Sequence, residues 1–185
     1  FGGLEDKMGW RSQPTAQVQF DDCTIPAENL VGEEGKGFSY AMAGLDGGRL
    51  NISACSLGAA QQALDMTKAY MRERKAFGAS IGSFQHNKFL LADLITKIEM
   101  VQAYVDQAVV AHTEGTLTAV DAAKVKYISA EIQNQVLDSC VQLHGGYGYM
   151  NEYRVARAWR DARVTKIWAG SNEIMKELIG RDLGL

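Results

Sequence analysis

From Lys36 onward the chain carries no proline, and its apolar residues recur every three or four positions. Leu90, Leu94, Ile98, Val101, Val105 and Ala108 follow one another at spacings of four or three. That is the seam of a helix packed into a bundle, not a stripe on a lone surface helix. The pattern predicts three long helices, from about Gly37 to Arg74, from near Ser83 onward, and from about Ala119 to Leu143, with a turn at Gly115. At ~1.5 Å per residue the second is on the order of 45 Å long. Gly145, Gly146 and Gly148 stop the third. Two shorter helices are predicted beyond it, one with Asn151 as N-cap and one beginning at Ser171 with Glu173 in its first turn. Long helices with short connections make a mainly α, up-down bundle.

Residues 1 to about 35 follow a different rule. Both prolines, Pro14 and Pro26, fall here, and Ala16 to Phe20 alternates with Val18 and Phe20 on one side. That reads as a strand, with Ile25-Pro26 leading into a turn. Gly32-Glu33-Glu34-Gly35-Lys36-Gly37 resembles a dinucleotide loop only on the surface, because no strand–turn–helix unit surrounds it. A short piece of sheet is not stable alone. The expected division is therefore residues 1–35 as the end of a β-domain and 36–185 as a helical bundle domain. The opening Phe1-Gly2-Gly3 reads as the middle of a longer chain.

Composition narrows the function classes. With 185 residues, 46% of them hydrophobic, the chain has enough material for a proper core. A net charge of −3 with Lys and Arg spread along the chain argues against nucleic acid as a main partner. No apolar run is long enough to span a bilayer, so a soluble protein is expected. Cys23, Cys55 and Cys140 are far apart and read as free thiols, Cys55 and Cys140 as small core residues. None of His86, His112 or His144 has a Glu three residues before it, so the di-iron bundle pattern is missing and no metal is expected.

Three motifs remain as candidate chemistry. Arg74-Lys75-Ala76-Phe77-Gly78 leads into Phe84-Gln85. By itself it reads as a basic final helix turn before a glycine stop. Chemically, Arg74 also offers a fixed fork of donors to a phosphate beside an aromatic face. Gln142-Leu143-His144-Gly145-Gly146-Tyr147-Gly148 has more glycine than a helix stop needs, which opens the backbone to another molecule. His144 alone reads as a packed or capping histidine. In Ala169-Gly170-Ser171-Asn172-Glu173-Ile174, a helix starting at Ser171 presents free N–H groups suited to a pyrophosphate or an oxyanion, or is simply capped.

Taken together and in this order, the motifs resemble the acyl-CoA dehydrogenase family over nearly the whole chain. Lys7-Met8-Gly9-Trp10-Arg11 and Ile25-Pro26-Ala27-Glu28-Asn29-Leu30 look like the exit of that family's middle β-domain. Leu45-Asp46-Gly47-Gly48-Arg49-Leu50-Asn51-Ile52 looks like its isobutyryl-type, short-branched-chain members. The region from Asn151-Glu152-Tyr153 to Met175-Lys176-Glu177-Leu178 looks like its long-chain members. The resemblance implies a C-terminal helical domain and FAD bound across a subunit boundary. Arg74, Phe77, Gln85, Gln142 and Gly146 would come from one chain, and Ser171 and Glu173 from its neighbour. Arg49 and Gly170 would meet the acyl-CoA substrate. The reaction implied is α,β-dehydrogenation of an acyl-CoA in fatty-acid or branched-chain amino-acid catabolism. Electron-transferring flavoprotein would be the electron acceptor and a homotetramer, a dimer of dimers, the assembly. The compartment would be the cytoplasm if the source is bacterial and the mitochondrial matrix if it is eukaryotic.

One departure bears on activity. The family's catalytic Glu occupies one of two positions, which here are Ala169 and Gly48. Neither takes a proton, and Glu173 is the nearest carboxylate in sequence, a weak substitute one helical turn away. Three classes therefore compete: an acyl-CoA dehydrogenase, a catalytically impaired FAD-binding or assembly subunit of the same fold, and a plain helical interaction module.

Overall fold

In the computed structural model, which describes residues 1–185, the helices follow the apolar period. The three long ones are α1 (Gly37–Glu73), α2 (Gln85–Thr113) and α3 (Ala119–His144), and the two short ones are α4 (Arg154–Ala162) and α5 (Asn172–Asp182). α3 sits at the centre, with α1 packed along its length and α2, α4 and α5 against its remaining faces. The seam residues of α2 meet Leu50, Leu57 and Leu64 of α1 and Val125, Ile132, Val136 and Leu137 of α3 in one core. Ala60 and Ala63 are wholly buried and let α1 lie close to α3. Each fully buried leucine contributes about 1.5–3 kcal/mol. None of the helices is long and apolar enough to cross a membrane.

The helix ends explain themselves locally. The Thr118 hydroxyl accepts the Asp121 N–H at 3.0 Å and caps α3. Gly145 ends that helix at φ 58°, a left-handed angle that favours glycine, with its N–H returned to the Gln142 carbonyl. Ser171 caps α5 by accepting the Ile174 N–H at 3.3 Å.

Four expectations need correction. Ala16–Phe20 is not a strand; the neighbouring chain is extended and tied by two bonds, Gly2 N–H to Gln17 and Glu5 N–H to Thr15, both 2.9 Å. Alternation needs a run of paired residues to become a ladder, and within 16–20 only Gln17 is paired, to Gly2. The sheet that does form lies elsewhere, pairing β1 (Lys75–Ala76) with β2 (Ala79–Ser80). Gly78 is accordingly a turn residue of that hairpin and not the stop of α1. Asn151 does not cap α4: the N-cap is Tyr153, and the Asn151 carbonyl accepts from the Arg157 guanidinium. Cys55 is exposed on the outer face of α1, whereas Cys140 is buried as expected, and burial pushes its thiol up to about 11.

Residues 7–15 are latched onto the end of α4. Trp10 takes a left-handed φ of 52° and donates its backbone N–H to Asp161 Oδ1 at 2.8 Å and its indole N–H to the Asp161 carbonyl at 2.9 Å. Its ring meets Trp168 edge-on at 4.7 Å. Gly9 has no room for a side chain, since a Cβ would stand 2.7 Å from Asp161 Oδ1.

Candidate functional site

The residues singled out in the sequence gather in two places. The first is a cleft of about 850 Å³ at one end of the bundle. Tyr70 and Arg74 come to it from the end of α1, Phe77 from the hairpin, Phe84 and Leu90 from the start of α2, and Gln142 to Tyr147 from the end of α3. Arg74, Phe77, Gln142 and Gly146 are thus brought together across long stretches of chain. Gln85, the first residue of α2, lies between the lining residues Phe84 and His86 without lining the cleft itself.

Each group is held by a local cause. Arg74 closes α1 through its N–H to the Tyr70 carbonyl at 2.8 Å, and its guanidinium lies over the Tyr147 ring at 5.6 Å. It enters no ion pair with a carboxylate. Phe77 and Gly78 are the two central residues of the hairpin turn, at φ 53° and 81°, the pattern of a type I′ turn. A bulky residue is strained there, yet Phe77 keeps 98% of its surface exposed. The glycines divide their work. Gly148 has no space for a Cβ, which would sit 2.2 Å from the Val141 carbonyl, and Gly145 serves the helix stop. Gly146, like Gly145, has nothing near it, and unlike Gly145 it is not held by a left-handed φ at the helix stop. His144 is a packed and capping residue, stacked on Tyr70 at 4.3 Å with Nδ1 at 2.8 Å from the Cys140 carbonyl.

The second place is the turn that feeds α5. Ala169 and Gly170 are both left-handed, φ 53° and 89°, and neither N–H donates to a backbone carbonyl. Met175 lies behind Gly170, where a Cβ would stand 2.5 Å from its Cε. Ala169 is exposed, so a side chain there faces outward. Glu173 lies in the first turn of α5, where its own backbone N–H and the Ser171 hydroxyl hold its carboxyl below the ordinary range. Arg49 of α1 is buried and paired with Asp46 at 2.9 Å. Gly48, one residue earlier, has open space where a side chain would go.

Lys126, overlooked in the sequence, lies under this turn. It is the largest side chain wholly removed from solvent, and its ammonium donates to the Gly170 carbonyl at 2.6 Å and to Asn172 Oδ1 at 3.3 Å. Asn172 donates in turn to Glu131 at 2.8 Å, and Glu131 also accepts from Lys166 at 2.6 Å. Burial lowers the Lys126 pKa to about 8; Glu173 opposes that shift and Arg49 adds to it. The sequence held one signal for it, a lysine on the stripe of Ala122, Val125, Ser129 and Ile132 that α3 buries.

Comparison with known proteins shows the family of the chain. A family model described as acyl-CoA dehydrogenase, C-terminal domain, matches residues 35–184. The chain is 45% identical over 177 residues to the mitochondrial long-chain specific acyl-CoA dehydrogenase of Rattus norvegicus, covering 96% of this chain and 41% of that protein. It is 40% identical over 184 residues to the mitochondrial isobutyryl-CoA dehydrogenase of Bos taurus, covering 99% of this chain and 44% of that one. The solved structure of butyryl-CoA dehydrogenase from Megasphaera elsdenii superposes with a TM-score of 0.94 at 42% identity, over all of this chain and 48% of that chain. The chain therefore spans less than half the length of the relatives it matches.

Proposed function

The chain belongs to the acyl-CoA dehydrogenase family, and on that premise we propose that it works in the FAD-dependent α,β-dehydrogenation of an acyl-CoA thioester. Residues 1–35 are read as the end of a middle β-domain and 36–185 as the C-terminal helical domain. The observation that carries the flavin assignment is the cleft at the end of the bundle. It joins a guanidinium free of carboxylate partners, an exposed aromatic at a strained turn and the open backbone at Gly145-Gly146. These groups fit FAD: Arg74 suits the pyrophosphate, while Phe77, Gln142 and Gly146, with Gln85 beside the lining, suit its other parts. A bound FAD supplies the two-electron acceptor for the reaction.

The turn before α5 suits a different task. Its unpaired Ala169 and Gly170 N–H groups are donors for a thioester oxygen, and Ser171 and Glu173 lie at the helix start where a neighbouring chain's FAD would be met. Arg49 suits the CoA moiety. Because the two places lie apart in one chain, complete sites need two chains, and we expect a homotetramer built as a dimer of dimers. Electron-transferring flavoprotein is the electron acceptor in this reading, and the bacterial cytoplasm or mitochondrial matrix the compartment.

A second reading, a catalytically impaired FAD-binding or assembly subunit, is favoured by a specific observation. Ala169 and Gly48 carry no carboxylate, and Glu173, the nearest one in sequence, lies in the first turn of α5. Both readings require a yellow protein, and the first also requires its flavin absorbance to shift when butyryl-CoA is added. A colourless protein that accepts no FAD would overturn both and leave a helical interaction module.

A further inference from the structure

The turn at residues 168–173 holds two consecutive left-handed residues, and no backbone hydrogen bond from Ala169 or Gly170 keeps them there. What does meet the turn is a side chain from α3. The Lys126 ammonium fixes the Gly170 carbonyl and the Asn172 side chain together, and Glu131 with Lys166 fixes Asn172 from its other side. Both acceptors of the ammonium are neutral, and a buried charge of this kind is costly to keep. A leucine or methionine would fill the same space without that cost. The charge is therefore tied to the geometry it imposes and not to packing.

We infer that Lys126 is the positioning residue of this turn: by anchoring the Gly170 carbonyl it sets the direction of the Ala169 and Gly170 N–H groups and of the side chain at position 169. That these groups meet an acyl thioester rests on the function proposed above. The charged groups facing the ammonium are Glu173 of α5, Arg49 of α1 with its partner Asp46, Glu131 of α3, and Lys166 of the turn after α4. As the ammonium loses its proton near pH 8, a charge-assisted bond to Gly170 becomes a neutral, weaker one. Stability moves the other way. The folded pKa lies below the ordinary 10.5, so the unfolded chain holds the proton longer, and this group makes the fold more stable as pH rises from 8 toward 10.5.

The test compares flavin-loaded wild type with Lys126→Met. Butyryl-CoA affinity, read from flavin absorbance, is expected to weaken about tenfold in wild type between pH 7 and 9 with no loss of thermal stability. The Met variant is expected to bind weakly at every pH, with a flat profile. Its Ile174 and Met175 amides, which rest on Ser171, are expected to exchange hydrogen about tenfold faster while the Ile132–Cys140 stretch of α3 stays protected. Unchanged exchange at Ile174 and Met175, or a Met variant with wild-type affinity and pH profile, overturns the inference. If wild type itself gives no response to butyryl-CoA, the proposed function fails instead, and the exchange measurement alone decides on Lys126. Should the Met variant not fold, wild-type exchange corrected for intrinsic pH dependence decides. Protection of Ile174 and Met175 must fall above pH 8 relative to α3, and a constant ratio overturns the inference.

Discussion

Gly146 and Gly148 stand two positions apart and do opposite things. Gly148 is pressed against the Val141 carbonyl, so Gly148→Ala forces the backbone apart and is expected to cost about 1–3 kcal/mol of stability. Gly146 faces open space, so Gly146→Ala is expected to leave the melting temperature unchanged while lowering flavin content. Thermal melts and the ratio of flavin to protein absorbance separate the two; equal effects on both quantities would contradict the division. Arg74 is tested by the same ratio. Removing a charge-assisted donor costs about 1.5–3 kcal/mol, so Arg74→Ala is expected to weaken FAD retention tenfold or more. Full flavin content in that variant would remove Arg74 from the site. The sequence made Arg74 and the glycine run visible through residue type. It did not say which glycine has open space beside it, because that depends on what stands behind each Cα.

The helices were legible because a buried seam repeats at the helical period over many turns, as Leu90 to Ala108 does along α2. Shorter elements carry no period. The β1–β2 hairpin has two residues in each strand, and its turn chemistry at Phe77-Gly78 was read as the end of α1. Lys126 escaped for a related reason: a lysine on an apolar stripe becomes informative only when its acceptors, here on α5 and the turn before it, are known. The link between α3 and α5 also carries an acid-side prediction. Burial pushes the Glu131 carboxyl up, but hydrogen bonds from Lys166 and Asn172 outweigh it and hold the pKa below the ordinary 4.5. A depressed folded pKa stabilises the fold at pH values above the unfolded one, and that contribution is lost as pH falls through the folded value. Glu131→Gln is therefore expected to cost about 0.5–1.5 kcal/mol at pH 7, the pair being partly exposed, and to reduce the fall in melting temperature between pH 5 and 3. A variant with an unaltered acid limb would show that Glu131 does not couple α5 to the core.

At the scale of the whole molecule, the cleft at the hairpin end and the turn before α5 are separate places held by one rigid helix, α3, whose Gln142 serves the first and Lys126 the second. The order of the motifs along the chain points to both places, and under the proposed function their separation is the reason a complete site would draw on a second copy. The central claim is that this fold retains its binding apparatus while lacking the carboxylate base. Position 169 is exposed, already left-handed and next to the free N–H groups, so a Glu there needs no new backbone geometry. A Glu at position 48 has open space but lies on α1. The deciding measurement is steady-state reduction of a dye acceptor with butyryl- and isobutyryl-CoA, on wild type, Ala169→Glu, Gly48→Glu and Glu173→Gln at matched flavin content. Supplying a general base is worth about 10² to 10⁴ in rate. The account predicts slow wild-type turnover, a gain of about 10² or more in Ala169→Glu, a smaller gain in Gly48→Glu and no change in Glu173→Gln. Fast wild-type turnover that neither added Glu improves would contradict it.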